Sequence, residues 1–177
     1  MRTVPPEVVT DRALDIHDTY PNKRLIVHYL QPHYPFIGET GQALDHGTVV
    51  EITTDGEQKQ TRDSASVWDR LESGTVDEQQ VWQAYRENLE LVLPAVERLI
   101  GNIDGRSVVS SDHGNAFGRF GVYGHPMDTY LRSLVEVPWL VRESGSRRNI
   151  QAGERSSTDT DDEELINDRL RHLGYTE

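Results

Sequence analysis

Asp112 and His113 stand side by side after the apolar run Val108-Val109-Ser110-Ser111 and directly before Gly114. A carboxylate oxygen is a hard donor and an imidazole nitrogen a borderline one, and the mixture suits Zn²⁺ or Mn²⁺. Gly114 lets the chain turn sharply after them. An adjacent Asp-His pair also occurs as plain solvated loop, so the pair reads either as metal ligands or as surface side chains. His33 is bracketed by Pro32 and Pro35, whose fixed φ holds the loop in one shape. It is either a preorganised donor to an anionic group or a histidine in a proline-rich turn, and residue pattern alone favours the second. His125 lies in Tyr123-Gly124-His125-Pro126, after a glycine-bearing stretch, 115–124, that reads as a loop passing over a site. It either contacts a substrate or packs within that loop. His28 sits inside a strand-like run and reads as core, while His17, His46 and His172 have no supporting context. The chain contains no Cys, which excludes disulfides, thiolate nucleophiles and Cys-ligated zinc.

The elements that must position these residues can be read from periodicity. Arg24 to Leu30 is a near-continuous apolar run, bounded by Pro21-Asn22 and Gln31-Pro32, and predicts a strand covered on both faces, as in a parallel sheet. Glu7 to Thr19 predicts a short helix. Val49 to Thr53 predicts a strand or half a hairpin with a turn at Asp55-Gly56, and Ser64 to Glu72 a short helix; the whole of 38–75 reads as an insertion or cap. Thr75-x-x-Glu78 reads as a capping box. It opens a long helix whose apolar positions Val81, Tyr85, Leu89, Val92, Val96 and Leu99 recur every three or four residues. Pro94 is expected to kink it and Gly101-Asn102 to end it. Arg106 to Ser111 predicts a second buried strand, and strand, helix, strand is the order of a parallel crossover. Leu134 to Val141 is a third apolar stretch, in which Pro138 argues for an edge strand or a strand start. Asp162 to Leu173 predicts an amphipathic helix on Leu165, Ile166, Leu170 and Leu173. The expected division is a domain over 1–141, a linker over 142–160 and a C-terminal helix in 161–177. In parallel α/β sheets ligands gather at the carboxyl ends of strands, which here carry His33 and Asp112-His113.

Composition bounds the partners. The 177 residues suit one domain with a modest core, at 35% apolar residues, and the formal net charge is −12. A surface this negative repels phosphate backbones and anionic membranes, so no nucleic-acid or membrane partner is expected. All but two of the 18 basic residues are Arg, the lysines being Lys23 and Lys59. An acidic, lysine-poor surface is read as adaptation to high salt rather than as a merely acidic mesophilic protein. No apolar run approaches the ~20 residues that cross a bilayer, and no signal-peptide core follows Met1, so the expected location is cytoplasmic.

Taken together, five segments in order resemble the alkaline phosphatase/sulfatase superfamily: His28 to Phe36, Ala84 to Leu89, Val109 to Asn115, Tyr123 to Pro126, and Leu134 to Val141. The tail, Asp168 to Tyr175, is similar to the end of sulfatase-like proteins from salt-loving archaea. The resemblance implies an α/β fold with an alkaline-phosphatase-like core, a mostly parallel sheet flanked by helices, incomplete at the N-terminus. It implies that Asp112 and His113 are metal ligands for Zn, Mn, Ca or Mg, and that His33 lies in the substrate pocket near the sulfate or phosphate. His125 matches a further pocket position, and Asn115 receives no role.

The resemblance also implies what is lacking. Family members begin with a strand ending in a metal-binding Asp, followed by a Ser, Thr or Cys nucleophile at a helix N-terminus. Neither has a counterpart before residue 24, and without Cys a formylglycine nucleophile is excluded. No catalytic nucleophile is identifiable. The expected function is therefore a sulfatase-like, metal-dependent hydrolase domain acting on anionic sulfate or phosphate esters, incomplete alone, with a protein partner supplying the missing half. The alternative is a non-catalytic remnant serving as a binding or interaction module.

Overall fold

The computed structural model describes residues 3–44, 50–52, 58–60 and 65–152. Helix α1, Pro6–Thr19, starts with proline at its first position, where no backbone donor is needed. It packs along α4, Glu78–Gly101, through the buried Ala13 and Thr10 on one side and Val92, Ala95 and Leu99 on the other. Thr10 is wholly buried because its hydroxyl donates to the Ala95 carbonyl (3.0 Å) and meets the Tyr29 hydroxyl (2.7 Å). The capping box lies elsewhere than the sequence placed it. At α3, Val67–Glu72, the Ser66 hydroxyl accepts from Asp69 N, and the Asp69 carboxylate accepts from Ser66 N. For α4 the cap is Asp77, accepting from Gln80 N, so the helix begins after Thr75. It then runs unbroken for 24 residues through Pro94.

The main core gathers Phe36, Val67, Trp68, Leu71, Val81 and Ala84, all buried. Tyr34, Leu44, Tyr85, Phe117 and Tyr123 pack around it. Edge-to-face contacts join Trp68 to Phe117 and to Tyr34, with centroids 5.2 and 6.5 Å apart. This core lies between α3, the first half of α4, the His33 loop and a small hairpin. A short helix α2, Glu39–Ala43, caps the loop and leans on α4.

The expected mostly parallel sheet is not found. Among the described residues there are three separate two-stranded sheets, each antiparallel. Strand β1, Val50–Ile52, pairs with β2, Gln58–Gln60; the expected turn at Asp55-Gly56 lies outside the described residues. Strand β3, Gly105–Ser110, pairs with β6, Trp139–Ser144, in the register Val108 with Val141 and Ser110 with Trp139. Strands β4, Ala116–Phe117, and β5, Tyr123–Gly124, form the hairpin. The physical reason for the correction is the partner of β3. Its ladder runs to a strand that returns from the other direction, and exposure alternates along it, so one face is wet. Arg24 to Leu30 is likewise not a doubly covered strand: it joins no ladder among the described residues, its exposure alternates, and Ile26 is 95% exposed.

Pro138 immediately precedes β6, consistent with its reading as a strand start, while the first part of that apolar stretch is a short helix α5, Arg132–Val135. After β6, Arg148 reaches His17 and the Pro21 carbonyl, and Gln151 N donates to Asn22 O. The amphipathic pattern expected at Asp162 to Leu173 lies outside the described residues. No helix among the described residues is long and apolar enough to cross a membrane.

Candidate functional site

Three segments deliver the sequence-predicted residues to one place. Strand β3 ends at Ser110, two residues before Asp112, and Ser110 Oγ fastens this end by donating to the Pro138 carbonyl (2.8 Å). The β4–β5 hairpin then folds the chain back. Its pairing of Ala116 with Gly124 sets His125 beside the residues that precede β4. His113 and His125 consequently lie ring against ring, centroids 4.3 Å apart. The third segment is the 31–37 loop, in which both X-Pro bonds, Gln31-Pro32 and Tyr34-Pro35, are cis. It places His33 Nε2 3.2 Å from His125 Nε2.

Gly114 is needed for a different reason than the sharp turn expected of it. Its φ is not positive. Instead the backbone of α5 lies directly against it: a Cβ at 114 would sit 2.0 Å from Ser133 O, and Gly114 N donates to Leu134 O at 2.9 Å. Gly124 combines both demands, with φ +67 and Trp68 ring atoms 3.0 Å from where a Cβ would be. Trp68 thus ties the hairpin to the His33 loop through Tyr34.

The protonation pattern follows from the acceptors. His33 Nδ1 lies 2.5 Å from Tyr34 O and His113 Nδ1 lies 2.9 Å from Gly114 O. A carbonyl only accepts, so each of these Nδ1 atoms carries a proton. His33 Nε2 and His125 Nε2 share a hydrogen bond, with the donor set by the tautomers. Burial pushes His33 below the usual histidine range, and the neighbouring His113 adds to this, while the Tyr34 carbonyl and Asp112 act the other way. Burial also lowers His125, to about 4, with the charges of His113 and His33 contributing. Asp112 is half-exposed; its carboxylate accepts from His113 N at 3.0 Å, and its other oxygen lies 3.8 Å from His113 Nε2.

Imidazole nitrogens beside a carboxylate are, in kind, what a borderline divalent cation takes. The arrangement does not enclose one. Two ligands about 2.1 Å from one ion at 90–110° stand roughly 3.0–3.4 Å apart, closer than the 3.8 Å between Asp112 and His113. Among the described residues no group of three or more His, Asp or Glu is set to hold an ion.

Sequence reasoning missed two contributors. Tyr85, on α4, receives a hydrogen bond from Asn115 Nδ2 (3.4 Å), which links the residue after the Asp-His-Gly turn to the helix. Asn88, one turn further on, is fully buried against the His33 loop. Its signal was visible as a polar residue on the apolar face of α4, seven after Val81 and four before Val92. No family model, curated protein or solved structure matches the chain, so the resemblance rests on the five segments themselves.

Proposed function

We propose that the chain provides part of a divalent-metal site that hydrolyses sulfate or phosphate esters, and that it acts together with a partner polypeptide supplying the nucleophile and further ligands. The observation that supports this reading most is convergence. His33 comes from a segment about eighty residues before the Asp112-His113 pair, and His125 returns to that pair through a tight hairpin, yet the three imidazole rings meet within hydrogen-bonding or stacking distance. In this reading Asp112 and His113 would be two of the cation's ligands, closing their present 3.8 Å as the partner's ligands complete the shell, and their oxygen and nitrogen donors favour Zn²⁺ or Mn²⁺ over Ca²⁺ or Mg²⁺. The cation would supply Lewis acidity toward the ester oxygen. His33 and His125 would lie toward the anionic group, and an approaching dianion favours a protonated ring there. The acidic, arginine-biased composition supports the reading of a cytoplasmic protein adapted to high salt.

A non-catalytic binding module is the second reading, and the three separate two-stranded sheets among the described residues favour it. The test is hydrolysis of aryl sulfate and aryl phosphate by the purified chain in molar KCl with Zn²⁺ or Mn²⁺, alone and with the partner polypeptide. Metal-dependent turnover that Asp112→Ala abolishes supports the hydrolase. Binding of vanadate or sulfate without turnover under every condition leaves the binding module.

A further inference from the structure

We infer that Asn88 is the positioning residue of His33: from helix α4 it grips the backbone on both sides of that histidine and so sets the meeting of His33 with His125. Asn88 is wholly buried. Its Oδ1 accepts from Ile37 N at 2.7 Å. Its Nδ2 faces three carbonyls, those of Pro32 (3.4 Å), His33 (3.0 Å) and Pro35 (3.3 Å). The orientation of the amide is forced, because Ile37 N can only donate and the carbonyls can only accept.

The reason a side chain does this work lies in the loop's composition. Pro32 and Pro35 have no N–H, and the loop enters no ladder, so its carbonyls point inward with few backbone donors to meet them. One primary amide, with two N–H donors and one acceptor, answers four backbone groups within six residues. The other contacts of His33 are local or lie within the cluster itself: its N donates to Leu30 O (3.0 Å), its Nδ1 bonds to the adjacent Tyr34 carbonyl, its ring stacks on Tyr34 at 4.4 Å, and its Nε2 meets His125. Asn88 thus fixes the backbone of the unit to α4, while Tyr34 and Trp68 join it to the hairpin. The adjacent Glu87 makes a useful contrast. It holds Thr40 N (2.9 Å) and the Thr40 hydroxyl, which anchors α2 and does not touch the His33 segment.

This inference goes beyond the hydrolase reading and stands without it, since the quantity read is the geometry of two rings. Nuclear magnetic resonance on the full isotope-labelled chain tests it. In the native protein the Asn88 side-chain amide protons are expected to resist solvent exchange and to show hydrogen-bond couplings to the loop carbonyls. The His33 and His125 ring protons are expected to show a cross-ring Overhauser contact. Asn88→Asp keeps the size and the oxygen facing Ile37 N, but sets a carboxylate oxygen against three carbonyls. It is expected to lose the cross-ring contact while α1 still packs on α4; Glu87→Gln is expected to keep it. A folded Asn88→Asp variant with the contact intact would overturn the assignment. If that variant does not fold, the native measurement decides: freely exchanging Asn88 amide protons refute the grip, and protected ones carry it. Zn²⁺ titration of the same samples is the separate arm. Absence of binding in every variant counts against the hydrolase reading and leaves the positioning role standing.

Discussion

Gly114→Ala should loosen the Asp112-His113 turn from the helix it rests on. The added Cβ would lie 2.0 Å from Ser133 O and 3.2 Å from its carbonyl carbon, and both atoms belong to backbone that cannot swing aside like a side-chain tip. Restoring an ordinary contact needs more than an ångström of separation, in a place where Gly114 N also donates to Leu134 O. Overpacking of this kind costs about 1–3 kcal/mol, and losing the backbone bond adds about 1 kcal/mol. A total of about 2–4 kcal/mol lowers the melting temperature of a domain this size by roughly 4–16 °C. Circular dichroism melts in molar KCl provide the assay, with Gly101→Ala as the control because a Cβ there meets nothing within 4 Å. Melting of Gly114→Ala within about a degree of the parent would refute the close approach on which the turn's placement rests.

The metal-free chain should lose stability on mild acidification. His33 and His125 are held below the ordinary histidine value, so between pH 6.5 and about 4 the unfolded chain binds more protons than the folded one. Their contribution is fully present above pH 6.5 and is lost as pH falls toward 4; His125→Ala should flatten that slope in urea melts, and an unchanged slope would contradict the buried placement. Thr10→Val keeps the shape but strands the Tyr29 hydroxyl and removes the donor to Ala95 O. It should cost about 1–2 kcal/mol, measured by urea denaturation, and a neutral result would mean that the α1–α4 contact does not depend on the buried hydroxyl.

Much of the helical scaffold was legible, and the sheet was not. Val81, Val92 and Leu99 recur at helical spacing and are buried in α4, as their periodicity requires. The helix start was misplaced because Thr75 and Asp77 are both competent caps, and only packing decides between them. Ile26 and its neighbours read as a buried strand because an apolar run carries no information about what covers it, and here alternate residues face outward. Strand, helix, strand likewise fits a parallel crossover until the partner of β3 is known, and that partner, β6, lies beyond the hairpin and α5. Asp112 and His113 stood out by type and spacing and His33 and His125 chiefly by the resemblance, yet the meeting of these residues depends on the β4–β5 register and on Asn88, neither of which announces itself in a local pattern. Asn88 in particular hides among apolar neighbours of α4, where a polar side chain reads as a gap in the stripe.

The central claim is that Asp112 and His113 bind a divalent cation within the cluster completed by His33 and His125. Calorimetric titration of the purified chain with Zn²⁺ and Mn²⁺ in molar KCl, paired with thermal melts, tests it most directly. One saturable ion per chain is expected. At a hundredfold excess over the dissociation constant, binding stabilises the fold by about 2.7 kcal/mol, which corresponds to roughly 5–10 °C. Asp112→Ala and His113→Ala should abolish the shift. No metal-dependent heat or shift in the parent chain, or an identical shift in Asp112→Ala, would contradict the account.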